Sequence, residues 1–88
     1  MDLIEWKQSE KNFKVHHGRV NGVHLYTVRS SNAHGDLAKT HPYALDHRLP
    51  FAAVRRIFAT AEGAQEYAER HLDAAMLHLG YVKREAGG

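Results

Sequence analysis

Eight histidines in 88 residues are the side chains of this sequence most able to do chemistry. Histidine changes charge near neutral pH and is a common metal ligand, so each cluster is a candidate acid, base or ligand. His34, Asp36, His41, Asp46 and His47 surround one polar stretch and could supply an acid and a base. With an Arg or Lys to hold transition-state charge, such a set would suit a small metal-independent nuclease. A zinc site instead needs several convergent ligands at close spacing. His71 and His78 stand two helical turns apart, and His17 and His24 supply only two ligands on a hairpin. The chain has no Cys, no Gly-rich phosphate loop, no Gly-x-Ser-x-Gly and no His-Glu-x-x-His. No catalytic residue, metal ligand or cofactor is assigned on this basis, and the expected role is binding rather than catalysis.

The elements that must position these groups follow from local signals. The stretch from about 2 to 8, with Leu3, Ile4 and Trp6, reads as a first strand, and Ser9-Glu10-Lys11-Asn12 reads as a turn. Asn21-Gly22 separates two β-rich runs, 13–20 and 23–30, and marks a hairpin whose type I′ turn needs positive φ at both central residues. A two-residue loop sets Val20 against Val23, Arg19 against His24, His17 against Tyr26 and Val15 against Val28. One face then carries Phe13, Val15, His17, Arg19, His24, Tyr26 and Val28. The other carries Lys14, His16, Gly18, Val20, Val23, Leu25, Thr27 and Arg29. The first holds more large apolar area and is expected to be the core side, although one bulge would invert part of it.

Residues 31–42 are small and polar and read as an exposed loop; 43–49 alternate as a strand up to Pro50, and 54–58 read as a short strand. Thr60 is a good N-cap and Gly80 a natural stop. Between them Ala61, Ala64, Ala68, Leu72, Ala75 and Leu79 form one apolar stripe. So small a stripe must lie close to the strands, with Trp6, Tyr26, Tyr43 and Phe58 as filler. The expected fold is α+β: an antiparallel sheet of three to five strands followed by one C-terminal helix packed on one face. It forms a single domain over 1–80, with 81–88 a flexible tail.

Net charge is only +2, but it is unevenly spread. Residues 7–59 hold nine Lys or Arg against three acids, a net +6, while 60–80 hold Arg70 against four acids, a net −3. A helix covering one side of the sheet leaves a basic face in water, expected to carry Lys14, His16, Arg29, Lys39, Arg48, Arg55 and Arg56. Such a face suits nucleic acid or an acidic protein surface. With 43% apolar and 25% charged residues, and no long apolar run, the composition is that of a soluble domain rather than a membrane protein. The first residues lack a basic flank and apolar core, and the absence of Cys fits a reducing cytoplasm.

At the last strand-to-helix junction, Phe58-Ala59-Thr60-Ala61-Glu62-Gly63-Ala64 follows an aromatic-x-Thr-x-Glu-x-Ala pattern. The stretch 56–67 resembles the strand–helix junction of ethylene-response-factor-like DNA-binding domains. It is also similar to small phage or prophage proteins built as a sheet followed by one helix. The resemblance implies that the Phe closes the core and the Thr caps the helix. Gly63 stands where the DNA-binding family has Glu, and the Arg-Gly-x-Arg strand signature is missing, so no base-reading residue carries over. Two roles follow as expectations: a nucleic-acid binder acting through the basic face, or a phage-type inhibitor or adaptor that meets an acidic protein with that face or with the 31–42 loop.

Overall fold

The structure is a computed structural model describing residues 3–12 and 14–78. Asn21 and Gly22 take φ of 51° and 80°, the two positive values that a type I′ turn requires. The turn joins β2 (His16–Val20) to β3 (Val23–Ser30). β1 (Glu5–Gln8), β4 (Tyr43–His47) and β5 (Ile57–Phe58) complete a five-stranded sheet in the order β1-β2-β3-β4-β5, with every neighbouring pair antiparallel. The C-terminal helix packs on one face, so the fold is the expected α+β architecture. Boundaries are tighter than the sequence pattern: the first strand begins at Glu5, the fourth stops at His47, and 54–56 lie outside β5.

The 31–42 stretch departs from the expected plain loop. It contains the short helix α1 (Asp36–Thr40), which buries no residue. Ser31 closes the base of this excursion, its amide donating to the Pro42 carbonyl at 2.8 Å and its hydroxyl to the His41 carbonyl at 2.8 Å. Thr40 Oγ1 donates back to the Asp36 carbonyl at 3.1 Å, which favours one helical turn over an open loop.

The long helix α2 (Ala61–His78) starts where Thr60 Oγ1 accepts the Gly63 amide at 3.0 Å, the N-cap bond. Its buried residues are Ala61, Ala64, Ala68, Leu72 and Ala75. With so little side-chain bulk the helix sits close to the strands, and Tyr26, Val28, Leu45 and Phe58 fill the interface, flanked by half-buried Trp6 and Tyr43. No helix among the described residues is long and apolar enough to cross a membrane. Phe13, Leu79, the Gly80 stop, the 81–88 tail and the beginning of the expected first strand lie outside the described residues.

The hairpin register corrects the sequence reading. Arg19 opposes His24 as expected, but Gly18, not His17, opposes Tyr26, because Leu25 is an extra residue on β3. This β-bulge inverts β2 relative to the core residues of β3. His17 then opposes Thr27 and His16 opposes Val28. Cross-strand partners share a face, so His16 and Gly18 lie on the helix side, while His17, Arg19 and His24 lie on the other. The cause is non-local. Ile4 and Trp6 cross over β2 at Gly18, where an added Cβ would sit 2.8 Å from Ile4 Cγ2 and 2.8 Å from Trp6 Cζ3. Shifting Gly18 inward buries Trp6 and Ile4 in place of an imidazole and a guanidinium.

Candidate functional site

Among the described residues, the face of the sheet away from α2 carries several cations. Its rows follow from the register: Glu5, Arg19 and His24 side by side; Lys7, His17, Thr27 and Asp46; then Arg29, Ala44 and Ile57. The His17 and His24 rings meet edge to face with centroids 5.0 Å apart. His24 Nε2–H is shared between the Tyr26 carbonyl at 2.9 Å and Thr27 Oγ1 at 2.8 Å. A carbonyl only accepts, so this nitrogen holds the proton of the neutral ring, and Nδ1 is where a second proton would bind. Burial lowers the pKa of His24, with Arg48, His17 and Arg19 adding repulsion against the backbone bond to Tyr26.

Not every cation here is available. Arg29 holds Asp46 through Nε to Oδ2 and through Nη2 to Oδ1 at 3.2 Å, and it also donates from Nη1 to the Ser30 carbonyl at 2.9 Å. The bond to Asp46 raises the Arg29 pKa, and the fork-to-carboxylate geometry neutralises both charges. At the opposite end, near β1, Lys7, Lys11, His17 and Arg19 line a concavity of about 330 Å³ together with Glu10.

The basic face read from the sequence is therefore divided. His16 lies on the helix side, contrary to expectation, because of the bulge. Lys14 sits in the turn before β2, its amide bound to Asn12 Oδ1 at 3.0 Å, and Lys39 rides on α1. Arg48 follows β4 and donates its amide to the Leu25 carbonyl at 2.9 Å. Arg55 and Arg56 precede β5, and the Arg56 guanidinium lies 5.6 Å from the Phe58 ring centre and 5.8 Å from that of Tyr67. Lys7, Lys11, His17, Arg19 and His24 were missed; the available signal was Gly18, since a strand glycine marks a bulge or a close approach.

The acid–base set does not converge. Asp46 and His47 are adjacent on β4 and so point to opposite faces. His47 Nδ1 accepts the Leu49 amide at 3.1 Å and its Nε2–H donates to the Ala52 carbonyl at 2.9 Å, so both ring nitrogens are used on backbone groups. On the same side, Tyr26 donates its hydroxyl to His71 Nδ1 at 2.8 Å, and the His47 and His71 rings lie 4.5 Å apart. Burial raises the Tyr26 pKa, with Glu69 adding to it; burial also lowers that of His71, with His47 adding to it. Among the described residues no group of three or more His, Cys, Asp or Glu is placed to hold a metal ion. No protein-family model matches the chain, and comparison with curated proteins and with solved structures finds no match.

Proposed function

We propose that the helix-free face of the sheet binds the phosphate backbone of a nucleic acid without catalysing a reaction. The observation that carries this reading is the charge of that face. Lys7, Arg19 and Arg48 stand against Glu5 once Arg29 and Asp46 are counted as a pair, and the imidazoles of His17 and His24 lie among them. A cationic surface backed by a rigid sheet gains affinity by displacing condensed counterions from a polyanion.

The large rings support a backbone reader rather than a base reader. Trp6, Tyr26, Tyr43 and Phe58 all belong to the helix-side core or pack against it. Among the described residues the open face thus offers imidazoles but no Trp, Tyr or Phe of the five strands on which bases could stack, so contact is expected to be sequence-tolerant.

The test is a fluorescence titration of the protein against duplex DNA, single-stranded DNA and single-stranded RNA over a range of salt. Log affinity should fall linearly with log salt. The double variant Lys7→Glu with Arg19→Glu should bind about tenfold or more weakly and lose about two units of that slope, one per phosphate contact removed. Acidifying from neutral pH should tighten binding, because protonation of His24 at Nδ1 adds charge to the same face. Absence of binding to all three polyanions at low salt, or a double variant that binds as its parent does, overturns the reading.

A further inference from the structure

At the β4–β5 end of the same face, α1 and the sheet enclose a groove of about 420 Å³. Its chemistry differs from the cationic concavity near β1. Leu37, Val54 and Ile57 supply an apolar floor, and Arg29, Arg55 and Arg56 stand around it. Leu37 is 55% exposed on a helix that buries nothing, so α1 holds a large apolar side chain toward water with no core contact to explain it. No carboxylate lines the groove. Asp46 is committed to Arg29 and the Arg56 guanidinium lies over the Phe58 and Tyr67 rings, while among the described residues Arg55 has no ion-pair partner.

We infer that this groove docks an acidic segment of a protein partner, in which one apolar side chain enters over Leu37, Val54 and Ile57 while a flanking carboxylate reaches Arg55. Charge complementarity selects an acidic occupant, and the apolar floor selects a peptide over a nucleic acid. A phosphate backbone gains nothing from covering Leu37 and Val54, whereas an apolar anchor ringed by charge has the layout of a protein interface. The site shares no residue with the Lys7, Arg19 and Arg48 set, so it stands or falls separately from the polyanion reading.

The experiment uses the full chain and an array of synthetic peptides. Each holds one Leu or Phe flanked by Glu and Asp at varied spacing, with matched controls in which the apolar residue is Ser or the acids are Gln and Asn. Peptides carrying both features should bind, and both control sets should not. Leu37→Ser should weaken binding about tenfold, as should Arg55→Glu, while Lys7→Glu with Arg19→Glu leaves it unchanged. Because Leu37 is exposed, its variant should keep the parent circular dichroism and unfolding midpoint, so lost binding cannot be lost folding. The inference is overturned if no array peptide binds, if Ser-containing acidic peptides bind equally, or if Leu37→Ser binds as the parent does. It is also overturned if a single-stranded oligonucleotide competes fully with the bound peptide, which would make the groove part of a continuous phosphate track.

Discussion

On the helix side of the sheet, His47 uses both ring nitrogens on backbone groups and His71 takes the Tyr26 hydroxyl on Nδ1. On the other side, His24 uses only Nε2, and it and His17 stand beside cations. The same residue type thus does two different things in one small domain. Under α2, imidazoles act as shaped hydrogen-bonding groups that satisfy polar atoms near the core. On the open face they stand among cations, with His24 Nδ1 making no such bond among the described residues. The unusual histidine count therefore carries no single meaning, and the face on which each ring falls decides its chemistry. That face is set by the bulge at Leu25.

The largest expected effects break the helix side. Leu72→Ala should cost about 2 to 5 kcal/mol by opening a cavity under α2, read from a denaturant midpoint. Gly18→Ala should cost about 1 to 3 kcal/mol, since the new methyl must displace Ile4 or Trp6 from a covered strand. The second variant also tests the register. If Gly18→Ala were as stable as the parent, β2 would not be turned inward at Gly18, and His17 and Arg19 would lose their place on the open face.

The parts of the fold legible in the sequence are those with local causes. Asn21-Gly22 specifies its turn through two positive φ values, and the Ala61, Ala64, Ala68, Leu72 and Ala75 stripe specifies which side of α2 is covered. The bulge was not legible from hydrophobic pattern, because His16-His17-Gly18-Arg19 offers no apolar contrast by which one parity beats the other, and Gly18 was its one local mark. The choice is made by Trp6 and Ile4, which arrive from another strand. The candidate site suffered most from this. Arg29 is expected on the open face and lies there, but His17, Arg19 and His24, expected on the core side, lie there too. Arg55 and Arg56, read as part of one basic surface, instead border a groove whose apolar floor depends on α1, an element hidden in a polar stretch.

Two smaller changes sharpen the contrast. Thr60→Ala should cost about 1 kcal/mol by removing the cap on the Gly63 amide. Tyr26→Phe should cost about 1 kcal/mol, because it leaves His71 Nδ1 without its donor while keeping the ring that fills the core. Both follow from urea unfolding at neutral pH. If Tyr26→Phe matched its parent, the Tyr26–His71 bond would contribute nothing to docking α2.

Acid should act in opposite senses on the two properties of the protein. The folded-state pKa of His71 lies below its ordinary 6.5 because burial and His47 disfavour the imidazolium, and that of His24 is lowered by burial and nearby cations. The unfolded chain therefore binds more protons than the folded one just below 6.5. Stability held above that value is lost progressively as pH falls toward the lowered folded values. Polyanion binding should strengthen over the same interval, since a bound phosphate favours charged His24. The smallest stability effect separates the two faces: His17→Gln at neutral pH should change the unfolding free energy by no more than about 0.5 kcal/mol, as for other surface changes. The same variant should keep the acid loss of stability that His71 causes. Were His17→Gln instead to remove the acid destabilisation, the part assigned to the helix-side imidazole would be wrong.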